Sequence, residues 1–229
     1  MKHVRFALAV ILVPLVIALS WNFFNLLLSL GQKVSENVLP FWVGLGSYFL
    51  FQAVLSRPVR TYVFGHELTH ALVGLCCGAK LKSFKVSASG GSVVLSKTNI
   101  LIALAPYFLP LYTLIIFFAY WAAGKFWGVE GFYPYFLFLV GFSLSFHLSL
   151  TWWALALGQS DLKVFGVFFS AVLILLVNFI VLSLLFRMLF PGQVGIRGYY
   201  SDSFSKMILI WTILLTQSKN LWDIFRSTK

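Results

Sequence analysis

Acidic side chains are scarce: six Asp and Glu residues stand against seventeen Lys and Arg in a chain of 229. Charged residues of both signs reach only 10% of the sequence, where a soluble domain carries about 25%. That deficit excludes an ordinary soluble domain. The composition instead is 60% hydrophobic with a mean hydropathy of +0.93, which implies an α-helical polytopic membrane protein surrounded by a lipid bilayer. The net charge of +11 is not a nucleic-acid footprint. The bases are scattered between apolar runs, where they suit headgroup contacts, so no nucleic-acid partner is expected. Cysteine is nearly absent, and the two present, Cys76 and Cys77, are adjacent. Neighbouring cysteines rarely form an unstrained bridge, so a disulfide framework is excluded, and both are expected as small buried side chains near a helix end. Internal repeats and low-complexity segments are also lacking.

Six apolar runs fall at about 4–30, 38–55, 61–78, 100–122, 132–157 and 164–190. Each approaches or exceeds the roughly 20 residues that a spanning helix needs, so about six transmembrane helices are expected. The first run begins with a basic start but shows no small-x-small cleavage site, and reads as a retained span. The third is the shortest and most polar, and needs protein neighbours around it. A last run, 207–215, is too short to span and reads as interfacial, with Tyr199, Tyr200, Trp211 and Trp222 at headgroup depth.

One region breaks the helical pattern. Residues 80–98 read KLKSFKVSASGGSVVLSKT. Two β-rich stretches, 81–88 and 92–97, flank Ser89-Gly90-Gly91-Ser92, which predicts a hairpin with Gly-Gly at the turn. Asn99 then predicts a cap for the next helix.

The scarce polar residues concentrate just before this hairpin. Residues 65–72 read GHELTHAL and hold two of the chain's four histidines and one of its three glutamates. On a helix, residues four apart share one face, about 6 Å apart along the axis, so His66 and His70 can hold one metal ion. Glu67 then lies beside the metal, where a general base would stand. Two imidazoles, a third ligand and an open position for water make the zinc-hydrolase arrangement, with one Zn2+ per chain. Chance gives this pattern about one time in a thousand at this composition, and ionisable groups at membrane depth are costly and usually functional.

Two candidates compete for the third ligand. Asp161 lies in GQSDLK between the fifth and sixth runs, and His147 lies midway along the fifth. Fourteen helical residues span about 21 Å, so both cannot bind one ion unless the fifth helix breaks. Topology favours Asp161, which returns to the face of the membrane that holds the hairpin. Depth favours His147. Asp161 would otherwise cap a helix with Ser160; His147 would otherwise hydrogen-bond Ser143 or Thr151, or stand behind a ligand. Cys77 is displaced from His70 by about 10 Å along the axis, too far for a Zn–S bond of about 2.3 Å.

The order of these motifs resembles the site-two protease family of intramembrane zinc metalloproteases. GHELTHALVGLCCGAKLKSF is similar to that family's HExxH helix and its exit into a strand. KVSASGGSVVLSKT looks like its hairpin, NILIALAPYFLP occupies the place of its next helix, and SDLKVFG looks like its aspartate motif. The resemblance covers roughly residues 60–185. The family's Leu-Asp-Gly is here Ser160-Asp161-Leu162, and its Asn-Pro partner motif and regulatory domains are missing. The resemblance implies an intramembrane zinc metallopeptidase that hydrolyses peptide bonds of membrane-protein substrates, with His66, His70 and Asp161 as ligands and Glu67 as catalytic base. It implies that an extended membrane-protein or peptide substrate adds to the hairpin, with Lys82, Phe84, Val86, Val93 and Val94 as candidate contacts. It also implies a compact, divergent member in a prokaryotic cytoplasmic membrane. One membrane domain, 1–229, then divides into two N-terminal spans (1–58), a metalloprotease-like core (59–190) and an interfacial segment (191–229). Two alternatives stand beside this reading: a catalytically inactive zinc-binding membrane regulator, and a metal or proton transporter. Lys80, Lys82, Lys85 and Lys97 favour a cytosolic hairpin, whereas Lys2, Arg5, Arg57 and Arg60 favour the opposite orientation.

Overall fold

The structure, a computed structural model, describes residues 2–32, 38–87 and 90–227. It is mostly helical with one two-stranded antiparallel sheet. In chain order the elements are α1 (Lys2–Gln32), α2 (Leu39–Leu55), α3 (Val59–Cys76), β1 (Leu81–Ser87), β2 (Gly90–Leu95), α4 (Ile100–Leu104), α5 (Leu111–Ala123), α6 (Tyr133–Ala156), α7 (Ser160–Phe165), α8 (Val167–Leu189) and α9 (Ile196–Ser227). Among the described residues, three helical stretches are long and apolar enough to cross a membrane: Lys2–Gln32, Glu130–Ala156 and Val167–Leu189. A fourth crossing results if α4 and α5 count as one bent span.

The chain divides into two compact units, residues 1–31 with 171–229, and residues 32–170. In the first, the described part of α1 packs with α8 and α9. Phe23 of α1 stacks its ring edge on Phe186 of α8 at 5.5 Å. Asn22 donates to Ser203 Oγ at 2.8 Å and accepts from Lys206, while the Tyr199 hydroxyl donates to the Leu19 carbonyl at 3.0 Å. Tyr199 is therefore a buried group that joins two helices. The expected short run 207–215 is the apolar centre of a 32-residue helix, because helix propagation continues through polar flanks once a nucleus exists.

The second unit is built around α3. Helices α2 and α6 cross beside it in backbone contact: a Cβ on Gly44 would meet the Phe138 carbonyl oxygen at 2.0 Å, and one on Gly141 would meet the Phe41 carbonyl oxygen at 2.2 Å. Glycine at both positions lets the helices approach this closely, the usual device of packing inside bilayers. Ser145 adds a hydrogen bond to the Leu45 carbonyl at 2.9 Å.

The expected span at 100–122 is broken. Asn99 caps α4 by accepting from the Ile102 amide at 2.8 Å, as its position predicts. α4 tightens into a 3-10 turn over Ala105–Tyr107 and stops, and α5 leaves at 81°. Pro110 is the cause at the restart: it donates no hydrogen bond and disfavours helical geometry at the residue before it. The hairpin pairs Ser87 with Gly90 and Phe84 with Val93, with an irregularity between Leu81 and Ser83. Gly90 and Gly91 belong to β2 rather than to the turn, where they were expected. Ala88 and Ser89, which join the strands, lie outside the described residues. Cys76 is exposed at the end of α3 and Cys77 half-buried, against the expectation that both are buried; the last turn packs on β2 through Gly74 instead, which meets Leu95.

Candidate metal centre

His66 and His70 sit one turn apart on α3 with ring centroids 4.9 Å apart. Their Nε2 atoms lie 3.4 and 3.5 Å from the same Asp161 oxygen, Oδ2. One ligand atom from each of the three residues lies within 4.8 Å of the others. Ligands about 2.0–2.1 Å from a tetrahedral ion stand about 3.3 Å from one another, so the three side chains are close enough together to hold a metal ion.

The chain places Asp161 there by a local device. α6 ends at Ala156, and Gly158 takes a left-handed φ of 69°, a conformation glycine adopts without steric penalty. The short helix α7 then starts at Ser160 and carries Asp161 in its first turn. Asp161 caps nothing; its carboxylate turns to the histidines.

The surroundings fit a metal site. His70 Nδ1 lies 2.8 Å from the Ile102 carbonyl, so it carries the proton and donates, which leaves Nε2 free to bind an ion. Tyr107, fully buried, donates its hydroxyl to Asp161 Oδ2 at 2.9 Å and sets its ring edge-on to His66 at 5.2 Å. Burial alone would raise the Asp161 pKa, but the neighbouring His66 and His70 rings and the hydrogen bond from Tyr107 outweigh it and hold the carboxyl well below the usual range. Two imidazoles and an ionised carboxylate are a donor set that zinc and other divalent transition metals accept.

These groups open into a cleft of about 780 Å³. One wall is α3, with Val63, His66, Glu67 and His70, and another is β2. Every residue from Gly90 to Leu95 lines the cleft. Side chains alternate between faces along a strand, so an unbroken lining means that β2 meets the cleft with its edge. Glu67 lies against the face of β2 at Gly91: a Cβ there would stand 2.5 Å from Glu67 Cγ and 2.8 Å from Val63 Cγ1.

His66, Glu67, His70 and Asp161 thus share one cleft, with Val93 and Val94 from β2. Lys82, Phe84 and Val86 of β1 do not line it; Phe84 instead packs its ring on Phe64 of α3 at 6.1 Å. His147 is buried on α6, outside the group of three ligands. Tyr107 and Gly91 were missed as site residues. Tyr107 lies within an apolar run, and nothing local indicates that it would meet a residue 54 positions away.

Comparison with protein-family models, curated proteins and solved structures returned no match.

Proposed function

We propose that the chain is an intramembrane zinc metallopeptidase that hydrolyses peptide bonds of membrane-protein substrates. The observation that carries this reading is Glu67. A site that only stored or sensed a metal has no use for a carboxylate that is not a ligand, yet this one lies in the ligands' own cleft and against β2. The order of motifs that resembles the site-two protease family supports the same reading.

A zinc ion held by His66, His70 and Asp161 would supply Lewis acidity and lower the pKa of water towards about 7. Glu67 takes the proton from the attacking water and delivers it to the leaving nitrogen. The β2 edge supplies main-chain hydrogen bonds to an extended substrate segment, which holds the scissile bond beside Glu67. Tyr107 holds Asp161 in place. We read α1, α2, α3, the bent α4–α5 pair, α6 and α8 as about six membrane segments, with α3 sheltered among its neighbours because its polar residues do not suit lipid. A prokaryotic cytoplasmic membrane is the setting this reading implies.

The test is cleavage in proteoliposomes that hold a mixture of synthetic transmembrane peptides, with new termini read by mass spectrometry. Wild type should create termini that Glu67→Gln lacks, since loss of a general base costs about 10²–10⁴-fold. Equal termini from both proteins would refute the enzyme reading. Zinc without cleavage of any membrane substrate would leave a zinc-binding regulator.

A further inference from the structure

The polar groups behind His66 have no part in the ligand set itself. His147 on α6 is 8% exposed, and its Nε2 makes no hydrogen bond among the described residues. Thr151 Oγ1, one turn along the same helix, makes none either. A buried polar atom without a partner is costly, and inside a bilayer no bulk water is at hand to supply one.

A small cavity lies between α3, α6 and residues 106–112, with about 20 Å³ open to the centre of a water. About 10–15 Å³ on that measure admits one water, provided that polar partners surround it. His147, His66 and Tyr62 all line this cavity. The other two hydroxyls in its wall are committed elsewhere: Thr69 donates to the Gly65 carbonyl at 2.7 Å, and Tyr112 to the Thr61 carbonyl at 2.7 Å. His66 Nδ1 stands 3.4 Å from the Tyr62 hydroxyl, longer than a good hydrogen bond. The two histidine ligands therefore differ. His70 has the Ile102 carbonyl at its second nitrogen, whereas His66 has only a distant hydroxyl, although metal-binding imidazoles almost always donate that N–H to a firm acceptor.

We propose that this cavity holds one ordered water that joins His66 Nδ1 to the His147 imidazole, and that His147 is thereby a positioning residue for the metal centre. The water accepts from His66 Nδ1–H and from the Tyr62 hydroxyl, and donates to a ring nitrogen of His147. Those three bonds are the usual complement of a buried water. They fix the His66 tautomer with Nε2 free, as the Ile102 carbonyl does for His70. The same bridge explains a histidine in mid-membrane that ligates nothing. The inference rests on His66, His70 and Asp161 holding a metal ion.

The experiment is a zinc titration in detergent by competition with a chelator, on wild type, His147→Leu, His147→Gln and, as a ligand control, His70→Ala. The melting temperature of each metal-free protein is measured alongside. Wild type should bind one zinc per chain. His147→Leu, which removes the acceptor at similar volume, should bind 10–100-fold more weakly, the cost typical of a lost outer partner. His147→Gln, whose amide can still hold the water, should recover most of that affinity, and the metal-free melting temperatures should agree. Equal affinity in wild type and His147→Leu overturns the proposal and leaves the metal centre standing. Equal loss in the Leu and Gln variants, or a lower melting temperature for metal-free His147→Leu, overturns it by making His147 a packing residue. No zinc in folded wild type removes the metal centre and the proposal with it.

Discussion

Gly91→Ala is a one-methyl change that should disable the site while the fold survives. The added Cβ would lie 2.5 Å from Glu67 Cγ, 2.8 Å from Val63 Cγ1 and 3.0 Å from Glu67 Oε1. Non-bonded carbons rest at about 3.5–4.0 Å, so the strand and the helix must part by about 1 Å, or Glu67 must swing aside. Val63 is β-branched and stiff at χ1, which leaves the hairpin or the glutamate to move. Overpacking of this size costs about 1–3 kcal/mol, and an edge of two strands can absorb part of it. A misplacement of about 1 Å between a catalytic group and its substrate costs about 10²-fold in rate. The assay is the release of new termini from transmembrane peptides, with zinc content and melting temperature as companions. Gly91→Ala should keep its zinc, since no ligand is touched, and should cleave about 10²-fold more slowly. Gly46→Ala, where a Cβ meets nothing within 4 Å, should cleave normally. Cleavage by Gly91→Ala at the wild-type rate would refute the close seat of β2 on Glu67.

Other consequences follow from the same geometry. Tyr107→Phe deletes the hydrogen bond to Asp161 Oδ2 and should weaken zinc binding by about 10–100-fold in a chelator competition. Gly141→Ala drives a methyl to 2.2 Å from the Phe41 carbonyl oxygen, which no rotamer change relieves; the melting temperature should fall by the equivalent of about 3 kcal/mol or more. Asp161 has a depressed pKa in the folded protein, so its contribution to stability is complete above the unfolded value of about 3.9 and is lost only as pH falls further. Metal binding requires deprotonated ligands, so zinc content followed from about pH 7 to pH 5 should fall while the metal-free protein stays folded.

The residues of the candidate site were legible where their patterns are local. His66, Glu67 and His70 lie within one and a half helical turns, and the Asn99 cap bonds a residue three positions on. Asp161 was legible as a candidate but stood beside His147, because hydropathy gives depth along a helix and says nothing of a short helix such as α7 that brings a loop residue inward. What escaped detection depends on distant neighbours. The break after Tyr107 was hidden by the apolar residues on both sides, since an apolar run reads as continuous whether or not its axis turns by 81°. Gly91 was assigned to the turn because a Gly-Gly pair is a strong turn signal; its use in β2 is to admit Glu67, a contact across 24 residues of sequence. Phe84 alternates with Lys85 as a strand residue should, and its ring meets Phe64 of α3, a contact that no local pattern announces.

The most direct measurement is elemental analysis of the purified protein in detergent, for wild type, His66→Ala, Asp161→Ala and Glu67→Gln. One zinc per chain in wild type and Glu67→Gln, lost in His66→Ala and in Asp161→Ala, is the expected result. Folded wild type that binds no zinc when the metal is supplied at neutral pH, or zinc retained at full content by Asp161→Ala, would contradict the three-ligand site.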